Sequence, residues 1–127
     1  YKTHLLKSVN DFYTGATEYE ARPEILSEID LPAENLELLK RGMKSVVEDG
    51  TAASVFVNYP YSVGGKTGTA QRGGNGGDNA VFAGFAPYET PEIVVSVIIE
   101  NGEHSYTAAT VAKSVFDYYF EHPDEFR

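Results

Sequence analysis

Cysteine is absent from this chain of 127 residues, and methionine occurs only once, as Met43. The lack of cysteine excludes disulfide scaffolds, thiolate zinc sites and cysteine nucleophiles, although it does not assign a compartment. No apolar run is long enough to span a bilayer, and no signal peptide is visible. Because the chain starts at Tyr1 in strand-like sequence, we expect it to be part of a longer protein.

Basic residues are scarce. Ten Lys and Arg stand against nineteen Asp and Glu, which gives a net charge of -9. This balance argues against binding to the phosphate backbone of nucleic acid and against adsorption to anionic lipid. The three histidines, His4, His104 and His122, are scattered without metal-ligand spacing. We therefore predict no metal site and no nucleic-acid partner.

Two helices are predicted in what the size and composition indicate is one globular domain. The first runs from about Pro32 to Asp49, since proline suits a first helical turn and Gly50 suits the position just past the end. The second runs from about Tyr106 to Phe120. Both have an apolar face, made by Leu36, Leu39, Met43 and Val46 in the first helix and by Ala108, Val111, Ala112, Val115, Phe116 and Tyr119 in the second.

The remaining elements are predicted to be strands and turns. Tyr1 to Val9 is predicted to be a short strand, followed by a turn at Thr14 and Gly15, and 22–31 is predicted to be irregular or extended. Further strands are expected over Ser62 to Gln71, Val81 to Ala86 and Ile93 to Ile99, and the short connections between them favour antiparallel pairing. Because Ile93 to Ile99 is almost wholly apolar and β-branched, we expect cover on both of its faces. The fold class is α+β, and no second-domain boundary is apparent.

The segment from Gly64 to Gln71, with the sequence GGKTGTAQ, is the most informative part of the chain. A lysine, two hydroxyls and several glycines suit the wall of an anion-binding site for acyl transfer. A phosphate-binding P-loop is the competing interpretation, because Gly65, Lys66 and Thr67 match its last three residues. That motif needs a glycine where this chain has Pro60, and a helix where this sequence is strand-like. The P-loop is therefore disfavoured.

With its neighbours, this segment resembles the C-terminal part of the transpeptidase domain of class B penicillin-binding proteins. The resemblance covers essentially the whole chain, and the features that carry it occur in order: 47–52 (VEDGTA), 65–71 (GKTGTAQ), 82–87 (FAGFAP), 99–102 (IENG) and Ala112-Lys113. It implies a partial β-lactamase/transpeptidase-like fold, in which this chain supplies helices and three strands of a five-stranded antiparallel sheet.

The resemblance also implies site residues. Lys66 would support the proton network and attract the substrate's carboxylate, and the hydroxyls of Thr67 and Thr69 would donate hydrogen bonds to it. The backbone N–H of Thr69 would be one of two oxyanion-hole donors. Gly68 would let substrate lie against the strand edge, and Gln71 completes the substrate-binding set. The loop from Arg72 to Asp78 either borders the substrate groove or is an ordinary hairpin loop.

Two motifs of that family are missing. No serine is followed three residues later by lysine, and the nearest approach is Thr110 with Lys113 in the second predicted helix. Ser8, Val9 and Asn10 satisfy Ser-x-Asn literally, but they lie too close to Lys66 in sequence to match the family's motif. We interpret Ser8 and Asn10 as a surface strand and turn. The chain is thus expected to be a C-terminal segment, 1–127, that lacks the nucleophile.

The function implied by the resemblance is that of a peptidoglycan D,D-transpeptidase, an extracytoplasmic serine acyltransferase that cross-links stem peptides and is inhibited by β-lactams. The mechanism that the resemblance implies needs neither a metal nor a cofactor. The parent would be anchored to the cytoplasmic membrane by a segment outside this chain and would work with a membrane glycosyltransferase. The alternative is a non-catalytic β-lactam sensor or a degenerate relative. The isolated chain is expected to be inactive without the rest of its domain. Because its sheet would have an unprotected edge, we expect either self-association to a dimer or a marginally stable monomer.

Overall fold

The computed structural model describes residues 1–71 and 76–126. These form two compact units, Tyr1–Pro32 and Ala33–Arg127, where the sequence shows no boundary. Most of the loop predicted over Arg72 to Asp78 lies outside the described residues.

The first unit is a small hairpin with extended flanks. Strands β1 (Ser8–Asn10) and β2 (Thr17–Glu20) pair antiparallel, with Val9 opposite Tyr19. The turn is held by the Asp11 carboxylate, which accepts hydrogen bonds from the Thr14 hydroxyl and the Thr14 N–H, each at 2.7 Å. These bonds keep the pKa of Asp11 below its ordinary value. Gly15 follows with a φ of 71°, in the left-handed region that glycine adopts at no steric cost.

The predicted strand from Tyr1 to Val9 is wrong over most of its length, because only Ser8 and Val9 of that range are paired in a ladder. Lys2 contacts Glu24 through both its N–H and its ammonium, and the Lys7 carbonyl accepts a hydrogen bond from the Ala21 N–H. These contacts do not continue the ladder. Strand β2 was not predicted, since its short polar sequence carries little strand signal. The irregular course of residues 22–31 is confirmed.

Two helices belong to the second unit, and both predicted positions are confirmed. Helix α1 is Ala33–Glu48 and α2 is Ser105–Glu121, followed by a 3₁₀ turn at Pro123–Glu125. The predicted apolar face of α1 is only partly covered, since Leu36 and Leu39 are 47% and 56% exposed, and Val47 is the buried residue of this helix. The face exists as predicted, but only its C-terminal end packs against the rest of the unit.

The three predicted strands of the second unit form one antiparallel sheet. Strands β3 (Gly64–Ala70), β4 (Asn79–Ala86) and β5 (Ile93–Ile99) lie in the order β3-β4-β5. Lys66 is opposite Ala83, and Ala83 is opposite Ser96, so these three residues share one rung of the sheet. The antiparallel pairing and the α+β class are therefore confirmed.

Strand β5 is not covered on both faces as its composition predicted. Val95 is buried, but Val94 and Ile98 on the other face are 76% and 67% exposed. Within the described residues β5 is an outer strand, in contact with β4 and with helix α2 on one face. The continuous apolar run therefore correctly indicates a strand, but one of its faces is left open.

The core lies between the sheet and α2. Its two largest fully buried side chains are Phe82 on β4 and Phe116 on α2. The stripe of α2 that packs on the sheet is narrower than predicted, because Val111 and Val115 are 44% and 42% exposed while Ala109, which was not predicted, is fully buried. Small side chains on the buried stripe let the helix approach the sheet closely; they are Ala108, Ala109 and Ala112.

Candidate functional site

Strand β3 carries the GGKTGTA sequence along one edge of the sheet. It pairs with β4, and in the part of the chain that the structure describes its other edge has no strand partner. Since side chains alternate along a strand, Thr67 and Thr69 share the face of Phe82, and Lys66 and Gly68 share the opposite face with Ala83. The lysine and the hydroxyls can therefore meet one ligand only over the free edge between the two faces.

The glycines of β3 have different physical roles. A Cβ added to Gly65 would lie 2.5 Å from Cζ of Phe82, so this glycine makes room for a core ring. A Cβ added to Gly64 would similarly lie 2.5 Å from Cζ of Phe85. At Gly68 the nearest atom would be Cβ of Val81 at 3.6 Å, which is an ordinary contact. Packing explains the first two glycines, whereas nothing in the described protein requires a glycine at position 68.

Lys66 is the exposed cation of the strand. Its Nζ donates to the carbonyl oxygen of Thr67. Among the described residues, no carboxylate lies within ion-pair distance of this ammonium, in a chain of net charge -9. Beside Lys66 is an open cavity of ≈ 390 Å³ with an otherwise apolar lining, made by Leu38, Leu39, Gly42, Met43 and Val46. The charge of Lys66 is therefore available to an anionic ligand at the rim of an apolar surface.

Thr67 is buried, with an exposed fraction of 7%, and within residues 1–71 and 76–126 it is the only buried residue with a polar side chain. Its Oγ1 lies 2.6 Å from Oγ1 of Thr51, and either hydroxyl can be the donor. Thr51 follows Gly50 and is the third residue beyond the end of α1 at Glu48. This contact was missed at the level of sequence, where the run Gly50-Thr51-Ala52 served only as part of a resemblance.

Thr69 and Gln71 are exposed at the far end of the strand, and Gln71 lies just beyond its last residue. Residues two apart in a strand direct their backbone groups to the same edge. The N–H of Thr69 therefore points in the same direction as the Thr67 carbonyl that accepts the Lys66 ammonium. A cation, a hydroxyl and a backbone donor thus lie along one short stretch of β3.

The competing motifs do not form sites. Thr67 lies in the middle of a strand rather than at the start of a helix, which excludes a P-loop. Ser8–Asn10 is strand β1, as predicted for this Ser-x-Asn match. In α2 the Thr110 hydroxyl donates to the Tyr106 carbonyl, and Lys113 pairs with Asp117 at 2.8 Å. Thr110 and Lys113 therefore have separate partners and do not form a nucleophile–base pair.

Metal-ligand clusters and membrane-spanning helices are both absent from residues 1–71 and 76–126. Histidine, aspartate and glutamate side chains form no group there that could hold a metal ion. Neither α1 nor α2, the two described α-helices, combines the length and the apolar character that crossing a membrane requires.

Comparison with known proteins gives consistent matches. The model of the penicillin binding protein transpeptidase domain matches residues 1–121. The peptidoglycan D,D-transpeptidase MrdA of Haemophilus influenzae is 36% identical, over 91% of this chain and 20% of MrdA. The crystal structure of Pseudomonas aeruginosa PBP2 in complex with WCK 5153 is 38% identical, with a TM-score of 0.71, over 83% of this chain and 24% of that chain.

A third match is a structure described as showing the coordination of polymerization and crosslinking by a peptidoglycan synthase complex. It is 28% identical with a TM-score of 0.55, over 78% of this chain and 16% of the matched chain. The present chain thus spans between 16% and 24% of the length of these three relatives.

Proposed function

Since this chain belongs to the penicillin-binding protein transpeptidase family, we propose that it is the C-terminal part of the transpeptidase domain of a larger peptidoglycan D,D-transpeptidase. The observation that carries the proposal is the edge of β3 that has no strand partner in the described part of the chain. There an exposed Lys66, with no carboxylate partner among the same described residues, lies next to two threonines. A strand edge with a cation and hydrogen-bond donors suits an extended peptide that ends in a carboxylate.

The proposed role of each residue along β3 follows from the alternation of its side chains between the two faces of the sheet. Lys66 supplies a point charge for the carboxylate, from one face of the sheet. Thr67 and Thr69 supply hydroxyl donors from the other face, and Gln71 extends the polar edge beyond the strand. Gly68 lies between them and leaves the edge free of a side chain, so the backbone of the substrate can approach closely.

The proposed reaction is acyl transfer through a serine that the rest of the larger protein supplies. Its hydroxyl attacks the carbonyl carbon of the penultimate D-alanine of a stem peptide. The bond to the terminal D-alanine breaks, and that residue leaves with the serine proton on its amine. An amine of a second stem then attacks the acyl-enzyme, forms the cross-link and restores the serine. The Thr69 N–H stabilises the negative charge that develops on the carbonyl oxygen, a contribution typically worth about a hundred- to a thousandfold in rate.

The setting of the larger protein is part of the proposal. Its substrate lies outside the cytoplasm, so we place the domain there, anchored to the cytoplasmic membrane by a segment not contained in this chain. The match to a peptidoglycan synthase complex that coordinates polymerization with crosslinking supports a glycan-polymerising membrane partner.

The test is intact-mass analysis after incubation with excess benzylpenicillin, which reacts as an analogue of the stem peptide. The full-length protein is compared with the 127-residue chain. We expect an adduct of one benzylpenicillin on the full-length protein and none on the chain. An adduct on the chain would contradict the assignment of the nucleophile to another segment. No adduct on either would contradict the transpeptidase and favour a degenerate relative.

A further inference from the structure

The hydroxyl pair of Thr51 and Thr67 is the polar contact that ties the end of α1 to the middle of β3. Its two oxygens are 2.6 Å apart. Thr51 is exposed, whereas Thr67 is 7% exposed, so the pair runs from solvent into the strand that carries the proposed site. A buried hydroxyl needs a partner, and in the structure Thr51 provides it.

The position of Thr51 is fixed by its neighbours. The N–H of Ala52 donates to the carbonyl of Val46 at 3.0 Å, and the Ala52 side chain is fully buried. A Cβ on Gly50 would lie 2.8 Å from Cα of Val46, so glycine is needed for this tight exit from the helix. The turn between α1 and the following segment thus presents the Thr51 hydroxyl to Thr67 in a defined place.

The direction of the hydrogen bond between Thr51 and Thr67 determines whether the Thr67 hydroxyl can donate to a ligand. Each hydroxyl has one proton and accepts through its oxygen lone pairs. If Thr67 donates to Thr51, the Thr67 oxygen offers only lone pairs, which repel a carboxylate. If Thr51 donates to Thr67, the Thr67 proton is free to be donated to the carboxylate in a charge-assisted hydrogen bond. Only the second arrangement is productive.

We propose that Thr51 is a positioning residue that donates to Thr67 and so holds the Thr67 hydroxyl as a donor for the substrate's carboxylate. This rests on the proposed function, and it assigns a role to a residue outside the Lys66–Gln71 segment. Thr51 acts through Thr67 and does not itself touch the substrate.

The experiment uses the full-length protein with Thr51→Val, Thr51→Ser, Thr67→Val and the Thr51→Val/Thr67→Val double variant. Valine has nearly the shape of threonine without the hydroxyl, and Thr51 is exposed, so the fold should be kept. Acylation rates are measured with benzylpenicillin and with its methyl ester, which lacks the free carboxylate. Thr110→Val is the matched control, because it also removes an exposed threonine hydroxyl with one hydrogen bond, on α2.

We expect Thr51→Val to slow acylation by benzylpenicillin about three- to tenfold, the size expected for weakening one charge-assisted hydrogen bond. The reaction with the methyl ester should change much less, Thr51→Ser should restore the rate, and the double variant should be no slower than Thr67→Val. Thr110→Val should behave as the unsubstituted protein.

Three results would overturn the role of Thr51. These are an unchanged rate for Thr51→Val with benzylpenicillin, an equal loss with both reagents, and losses that add fully in the double variant. An equal loss with both reagents would indicate a purely structural contact. If the unsubstituted protein were not acylated at all, the proposed function itself would fail, and the positioning role with it.

Discussion

The two outer strands of the sheet, β3 and β5, share the partner β4 and have opposite compositions. Strand β3 is GGKTGTA, whereas β5 is IVVSVII. The exposed side chains of β3 include Lys66 and Thr69, and the exposed apolar side chains of β5 are Val94 and Ile98. An exposed apolar face gains free energy when it is covered, whereas a polar strand edge with glycine can stay open to a ligand. The comparison teaches that the open face of β5 is suited to packing, whereas the open edge of β3 is suited to binding.

The largest effect is expected from Lys66→Met in the full-length protein. Removing the charge should lower the acylation rate with benzylpenicillin about 10- to 100-fold, the size of a lost charge-assisted hydrogen bond. Stability should change by less than about 0.5 kcal/mol, because the side chain is exposed. Acylation kinetics and urea denaturation measure the two quantities.

The matched control for Lys66→Met is Ser96→Ala, on the same rung of the sheet but on β5. It should leave the acylation rate unchanged. Equal losses at both positions would break the distinction between the two edges.

Glycine substitutions in β3 separate packing from binding within one strand. Gly65→Ala should destabilise the protein by about 1–3 kcal/mol, because its Cβ would overlap the Phe82 ring at 2.5 Å. Gly68→Ala should change stability by less than about 0.5 kcal/mol and still slow acylation, since its methyl group would stand at the proposed substrate edge. Urea denaturation of both variants would refute this assignment if the order of the two destabilisations were reversed.

Charged substitutions on β5 test the proposed packing of its open face. In the 127-residue chain, the exposed apolar face of β5 is expected to drive self-association, which a Val94→Lys/Ile98→Lys variant should weaken about tenfold or more. Light scattering across a concentration series measures the effect. Thr69→Lys, at the exposed end of β3, is the comparison variant and should associate as strongly as the unsubstituted chain. If the unsubstituted chain stayed monomeric at high concentration, the proposed role of β5 in self-association would be contradicted.

The smallest effect concerns the segment just before β3, where Ser62 contacts the turn that follows β4. The Ser62 hydroxyl donates to the Glu89 carboxylate, and this hydrogen bond is the main reason why the pKa of Glu89 lies below its ordinary value. A carboxyl with a lowered pKa stabilises the fold above its ordinary pKa, and this contribution is lost as pH falls through the pKa of the folded state. We therefore expect the contact between Ser62 and the turn after β4 to weaken in acid.

Nuclear magnetic resonance can follow this change at Tyr88, whose N–H donates to the Ser62 hydroxyl at 3.0 Å. The Tyr88 amide signal should titrate together with Glu89. Ser62→Ala should raise the pKa of Glu89 toward its ordinary value. An unchanged pKa in that variant would show that the hydroxyl does not hold the carboxylate.

The sequence predicted the elements of the second unit well because their signals are local. The apolar period and Gly50 place α1, and β-branched runs and short loops place β4 and β5. The sequence could not predict which face of β5 stays open, since that depends on which elements cover the sheet. It also could not predict the contact of Thr51 with Thr67, because two hydroxyls sixteen residues apart meet only in the folded chain.

The site was predicted as a set of residues but not as an arrangement. Lys66, Thr67, Gly68 and Thr69 all lie on β3, yet the sheet places the lysine and the threonines on opposite faces. The sequence motif does not show on which face of the sheet each side chain lies. That a ligand must bind along the edge of β3 to reach both the lysine and the threonines therefore follows only from the structure.

The most direct test of the central claim is a crystal structure of the full-length protein acylated by benzylpenicillin. The account predicts the penicillin carboxylate at the free edge of β3, within hydrogen-bonding distance of the Thr67 and Thr69 hydroxyls and near Lys66 Nζ. It also predicts the acyl carbonyl oxygen on the N–H of Thr69. A carboxylate bound away from β3, or an acyl oxygen held by other donors, would contradict it.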